Sequence, residues 1–193
     1  MVDDLNSLSQ AAKNLRYRLY KENSDYSKWE EILSKKVGIG TYRTAFLIEG
    51  DHPSDEEAQK IADWCGVSVD DLMSAPIHPA DAEGILRENI VFLMASLPRG
   101  GKAALAKALK MTSSQISRWA AGTHLPHQSN IEELMGNLGL NPRIDLKVHP
   151  IFLINGPIHG EAKREYLLKQ IQEAPPWLLD DHFASFEKLL RKK

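Results

Sequence analysis

The chain has 193 residues, of which 42% are hydrophobic and 26% charged, with a formal net charge of −2 at pH 7. This composition is that of an ordinary globular protein, and the length allows one large or two small domains. No apolar run is long enough to cross a bilayer, the polar start is unlike a signal peptide, and the lone Cys65 cannot form an internal disulfide. We therefore expect a cytoplasmic protein without a membrane segment.

The first 75 residues have helical periodicity that is interrupted by glycines and polar turns. It predicts helices over 11–22, 27–36, 41–48 and 54–65 and a short one near 67–73. Ser27 with Glu30, and Ser54 with Glu57, have the spacing of a capping box at a helix start. A segment with two prolines, 76–81, then predicts a linker.

A second series of helices follows, over 82–95, 101–109, 113–121 and 129–138. Shifting the sequence by 72 residues aligns Leu33 with Leu105 and Gly50 with Gly122, and one further residue aligns the glycines at 66 and 139. Apolar positions and glycines that recur in this way indicate an internal repeat. We expect two tandem domains of similar fold, a first copy over 1–75 and a second copy over 82–142.

The clearest motif of the second copy runs from Leu105 to Gly122. It predicts a short helix, a tight turn and a second helix, which share an apolar seam formed by Leu105, Leu109, Met111, Ile116 and Trp119. The opposite side of the second helix carries small donors and one cation: Ser113, Ser114, Gln115, Ser117 and Arg118. This is the layout that a DNA-reading helix in a major groove requires.

Charge is patterned around this motif. Between Glu88 and Glu132, a stretch of more than forty residues, there is no acidic residue. The same stretch contains five cations: Arg99, Lys102, Lys107, Lys110 and Arg118. A local excess of Lys and Arg is what phosphate binding requires, and a basic protein overall is unnecessary.

The segment LAKALKMTSSQISRWAAGTHLP resembles the helix-turn-helix of the Cro/cI-like (XRE) DNA-binding proteins, and IADWCGVSVDDLM resembles the closing helix that usually follows it. The resemblance covers about 11–75 and 82–142. It implies a mainly α fold with two tandem five-helix lambda-repressor-like domains. It also implies binding of double-stranded DNA, with the helix Ser113–Ala121 in the major groove.

Site residues are assigned from this resemblance. Base reading is expected from the exposed side of that helix, Ser113, Ser114, Gln115, Ser117 and Arg118, because Arg can bind guanine and Gln adenine through two hydrogen bonds. Phosphate contacts are expected from Lys102, Lys107, Lys110, Thr112 and His124.

The first copy departs from the family pattern at two contact positions. Glu30 stands where the second copy has Lys102, and Phe46 stands where it has Arg118. A second DNA contact would then depend on Lys35, Lys36, Thr41, Tyr42 and Arg43. Either a weaker DNA contact or docking of a protein partner fits this pattern.

The C-terminal extension, 143–193, has a different pattern of apolar and polar residues. Ile144, Leu146 and Val148 alternate with polar residues, which predicts a short strand or hairpin. The strand could pair with its twin in a homodimer or pack against its own domain. Helices are predicted over 161–173 and 180–191.

No catalytic motif is evident. LPRGGKAAL lacks the first glycine and the Ser/Thr of a phosphate-binding loop, and His124 and His127 have no partners that would complete a metal site. We expect a non-enzymatic protein without a cofactor or metal, a homodimeric transcriptional regulator and repressor that binds specific double-stranded DNA sequences. The alternative is a protein-interaction adaptor or antitoxin-like partner that uses the helical domains for docking.

Overall fold

The computed structural model describes residue 5 and residues 7–157 and 160–174. The chain is mainly helical, and none of these described residues lies in a β-strand. The helices are α1 (Gln10–Glu22), α2 (Trp29–Val37), α3 (Thr41–Glu49), α4 (Asp55–Cys65), α5 (Val69–Ser74), α6 (Ala82–Ala95), α7 (Gly101–Ala108), α8 (Ser113–Ala120), α9 (Gln128–Asn137) and α10 (Gly160–Glu173). Short 3₁₀ helices cover Tyr26–Lys28 and Ile151–Leu153.

The chain divides into two compact units, residues 1–156 and 157–193. Both sequence copies and the segment between them therefore lie in the first unit. In the second unit, α10 matches the helix predicted over 161–173, whereas the one predicted over 180–191 lies outside the described residues. Among the helices that are described, none has the length and apolar character that a membrane span needs.

Helix starts follow the capping rules in part. The Ser54 hydroxyl accepts a hydrogen bond from the amide of Glu57, and the Glu57 carboxylate accepts one from the amide of Ser54, so this capping box is confirmed. The box predicted at Ser27 is wrong. Ser27 lies within a 3₁₀ turn that Asp25 caps, and α2 begins two residues later.

The two copies share their turns. Gly50 and Gly122 end α3 and the α8 region with φ of 119° and 67°, a left-handed conformation in which a side chain would be strained. The residue after each glycine donates its amide to the carbonyl of Phe46 or Arg118, at 2.9 and 3.1 Å. These equivalent bonds obey the shift of 72 residues derived from the sequence.

A buried asparagine is repeated as well. The side-chain NH₂ group of Asn14 donates to the backbone carbonyls of Leu72 and Ala75. The Asn89 amide donates in the same way to the carbonyls of Leu146 and His149, both at 2.7 Å. Each asparagine thus ties the first helix of its copy to that copy's last segment. The sequence carries a signal for this at a shift of 74, Asp-Leu followed by Pro-Ile at 71–77 and again at 145–151.

The strand predicted over 144–148 is wrong. Residues 145–148 form a hydrogen-bonded turn in which the amide of His149 donates to the carbonyl of Asp145 at 2.9 Å. Leu146 is buried because it occupies the position of Leu72, which lies in α5 of the first copy. The alternating pattern therefore came from a distorted counterpart of α5, and the segment packs onto its own unit.

The copies are held together by a shared aromatic cluster. Tyr20 packs edge-to-face on Phe92, with ring centroids 5.5 Å apart, and both Tyr17 and Tyr20 lie 5.7 Å from Phe152. Burial raises the pKa of Tyr17 to about 12, to which the nearby carboxylate of Glu88 contributes. The copies therefore form one joint core.

Arg16 makes a second link between the copies. Its buried guanidinium donates to the carbonyl of Ile48 at 2.6 Å and to that of Leu153 at 3.1 Å. Because Ile48 lies in α3 and Leu153 follows the second copy, one side chain fixes the end of α3 against the far end of the unit.

The turn between α7 and α8 supports a stability prediction. Lys110 has φ of +52°, where the first copy has Gly38 at +73°. A side chain costs about 1 kcal/mol in this conformation, so we expect Lys110→Gly to raise the free energy of unfolding by about 0.5–1 kcal/mol in urea titrations. Lys107→Gly removes the same charge from within α7 and should lower the stability by a similar amount. Equal effects of the two variants would contradict the strain argument.

His78 makes stability depend on pH. Its Nδ1 bonds the carbonyl of Pro79 at 2.9 Å, while its Nε2 is buried without a hydrogen-bond partner in the part of the chain that the structure describes, and its ring lies 6.2 Å from that of Phe152. Burial lowers the pKa of His78 below the ordinary value of 6.5, and the charge of Lys13 lowers it further. Below pH 6.5 the His78 imidazole therefore binds a proton more readily in the unfolded chain than in the folded chain. The free energy of unfolding thus falls as the pH drops. Urea midpoints at pH 7.5 and 5.5 should differ less for His78→Gln than for the wild type; an equal difference would exclude this role for His78.

Candidate nucleic-acid interface

Helix α8 is positioned by the seam that the sequence predicted. Leu105, Leu109, Ile116 and Trp119 are buried between α7, α8 and α6, and Met111 is half-buried at the turn. The burial of Ile116 and Trp119 forces the remaining side of α8 outward. Arg87 of α6 supports the end of the helix by donating to the carbonyl of Gly122, a contact that the sequence analysis did not identify.

The outward side of α8 is polar along its whole length. Each residue predicted to read bases is exposed: Ser113, Ser114, Gln115, Ser117 and Arg118. The helix therefore presents hydroxyl donors, one carboxamide and one guanidinium together. These are groups that can hydrogen-bond the edges of bases.

The side chain of Gln115 also caps the start of α8. Its side-chain oxygen accepts hydrogen bonds from the amide and the hydroxyl of Thr112, both at 3.0 Å, while the Thr112 hydroxyl accepts one from the amide of Gln115. This is a complete capping box that starts α8, and the sequence analysis did not predict it. The NH₂ group of Gln115 keeps its two donors for another partner.

The cations near α8 have no acidic partners among the described residues. No ion pair between described residues includes Lys102, Lys107, Lys110 or Arg118. All four side chains are exposed, as is His124. Unneutralised positive charge is therefore concentrated on α7, α8 and the turn between them; we call this surface the basic face.

A shallow groove of about 460 Å³ runs beside α8. Its walls include Trp119 and Leu125, and Gln115, Arg118 and His124 line it as well. The structure thus brings two predicted base readers and one predicted phosphate contact to the same groove.

The three cations of the first copy that were predicted to contact DNA are neutralised instead. Lys35 pairs with Glu31 at 2.6 Å and Lys36 pairs with Glu22. Arg43 pairs with two carboxylates, those of Glu57, at 3.0 Å, and Asp51. Hydrogen bonds to these carboxylates raise the pKa of Arg43, and the guanidinium lowers the pKa of Asp51.

The remaining candidates in the first copy are not cations. Thr41 and Tyr42 are exposed at the start of α3, and Phe46 follows one turn later. The two aromatic rings lie 5.0 Å apart. The first copy therefore offers aromatic surface where the second offers serine and arginine.

Metal chemistry finds no support in the part of the chain that the structure describes, where no three His, Cys, Asp or Glu side chains are grouped to hold an ion. His124 and His127 both border the groove beside α8.

Comparisons with models of known protein families, with curated proteins and with solved structures gave no match to this chain.

Proposed function

We propose that this protein is a sequence-specific double-stranded DNA-binding regulator of transcription, a repressor that reads the major groove with the helix Ser113–Ala121. In this proposal, the two copies are tandem helix-turn-helix domains of the Cro/cI-like (XRE) type, and the second copy is the DNA reader. The resemblance in sequence motivates the family, and the surface of the second copy supports the function.

One observation carries the proposal. The chain has a small negative net charge, yet Lys102, Lys107, Lys110 and Arg118, which form no ion pair with a described residue, lie exposed on α7, α8 and the turn between them. Exposed cations without acidic partners keep their full charge for phosphates, and binding then releases the counter-ions that DNA had condensed. The hydroxyls, carboxamide and guanidinium between them supply base-edge contacts.

Selection of bound duplexes from a random DNA pool tests this function directly. We expect a short consensus, and a palindromic one would support the expected homodimer, because two-fold symmetric readers bind symmetric sites. Affinity for the selected duplex should fall steeply with added salt. Absence of DNA binding at low salt would overturn the proposal and favour a protein-docking adaptor.

A further inference from the structure

The outward side of α3 carries the most exposed aromatic residue of the first copy. Tyr42 is 83% exposed and Phe46 39% exposed, and their rings are in contact. Glu49 follows at the next helical turn, so the three residues share one side of the helix. We call Tyr42, Phe46 and Glu49 the aromatic face.

The charge of the aromatic face is acidic. Glu49 is exposed and forms no ion pair with a described residue. Arg43, the neighbour of Tyr42 in α3, is neutralised by the carboxylates of Glu57 and Asp51. A carboxylate without a compensating cation repels phosphate, which makes DNA a poor occupant of this surface.

The second copy has the opposite chemistry at equivalent positions. At a shift of 72 residues, Ser114 is the counterpart of Tyr42, and Arg118 is the counterpart of Phe46. Arg118 is exposed and forms no ion pair with a described residue, and a guanidinium binds favourably to aromatic rings and carboxylates. One chain thus carries two complementary surfaces.

We propose that the aromatic face of one molecule docks on the basic face of a second copy of this chain. Pairing of like faces would place cations against cations or carboxylates against carboxylates, whereas pairing of unlike faces joins opposite charges around two aromatic rings. The inference rests on the proposed function for its consequence: Arg118 is used in both contacts, so this pairing of unlike faces and DNA binding exclude each other.

Sedimentation equilibrium without DNA tests the association. We expect the mean mass to rise with protein concentration between about 1 and 100 µM, the range of weak contacts, and less so at high salt. Tyr42→Ala and Arg118→Ala should each abolish the rise. Val148→Ala removes an exposed apolar side chain elsewhere and should leave it unchanged. A mean mass that stays constant over this range, or a rise that Tyr42→Ala leaves intact, overturns the proposal.

A charge swap makes the test specific. The variant Tyr42→Arg/Glu49→Lys makes the aromatic face basic, and Arg118→Glu makes the basic face locally acidic. We expect neither variant to associate alone and an equimolar mixture to associate again. All three substituted side chains are exposed, and circular dichroism checks that each variant is folded. Two folded variants that stay monomeric in the mixture contradict this pairing.

A DNA readout separates this inference from the proposed function. At protein concentrations where the wild type associates, a selected duplex should dissociate the complexes, and Tyr42→Ala should bind that duplex several-fold more tightly. If DNA binds but Tyr42→Ala gives no gain, the docking inference fails and the DNA-binding function stands. If no duplex binds while the charge swap works, the docking inference stands alone.

Discussion

Replacement of Asn89 by leucine is expected to lower the free energy of unfolding by about 3–5 kcal/mol, because several buried polar groups lose their partner at once. The Asn89 amide donates to the carbonyls of Leu146 and His149, and its oxygen accepts from the amide of Phe152 at 3.3 Å. Leucine has a similar volume, so the loss comes from unsatisfied hydrogen bonds. Urea titration followed by circular dichroism measures it.

Two further variants show whether hydrogen bonding is the cause. Asn89→Asp keeps the acceptor for Phe152 but turns a charge toward two carbonyls, so it should destabilise more at pH 7 than at pH 4 relative to the wild type. Asn137 is exposed and bonds only within its own helix, so Asn137→Leu should change stability by less than about 0.5 kcal/mol. A small effect of Asn89→Leu would show that the segment 146–152 is held by apolar packing instead.

Arg118→Ala is expected to weaken binding to the selected duplex by about 1–3 kcal/mol, or about 5- to 150-fold, and to relax specificity at one base pair. The guanidinium is the one cation on the exposed side of α8, and no carboxylate among the described residues pairs with it. Arg118→Lys keeps the charge but loses the planar pair of donors, so it should recover affinity more than specificity. Binding titrations against the consensus and its single-base variants measure both quantities.

Lys102→Ala provides the contrast. Lys102 lies at the start of α7. Loss of its phosphate contact should lower the affinity for all duplexes alike, and should reduce the slope of log affinity against log salt concentration by about one. Lys147 is also exposed but lies outside both helices, so Lys147→Ala is the matched control with wild-type binding expected. Wild-type binding by Arg118→Ala and Lys102→Ala would show that the site lies elsewhere.

Much of the local structure was predictable because it depends on neighbouring residues. Helical periodicity located the helices, and the glycines at 50, 66, 122 and 139 that the repeat aligned are left-handed turns in the structure. The spacing of Ile116 and Trp119 determined which side of α8 is buried, and therefore which side chains are exposed. These features need no knowledge of distant contacts.

The error at the predicted strand arose where a distant contact decides the structure. Leu146 belongs to an alternating pattern that is typical of a strand, yet it is buried as the counterpart of Leu72, with its carbonyl bound to Asn89. Local periodicity cannot show that a side chain 57 residues away will bind this carbonyl. The error at Ser27 was local instead, because Asp25, two residues earlier, is an equally favoured capping residue and caps the turn before α2.

The sequence alone determined the helical class, the repeat and the polar side of α8, because periodicity, glycine placement and residue type are local properties. Only the tertiary structure decided which cations remain unpaired: Arg43 lies in α3 and Arg118 in its counterpart α8, but among the described residues only Arg43 is bound by carboxylates, those of the segment that follows its helix. A cation that is already paired with a carboxylate of the protein attracts a ligand only weakly. Which cations are paired depends on which side chains the fold brings close together. The same packing joins the two copies through Phe152 into a single core, which neither copy's sequence encodes by itself.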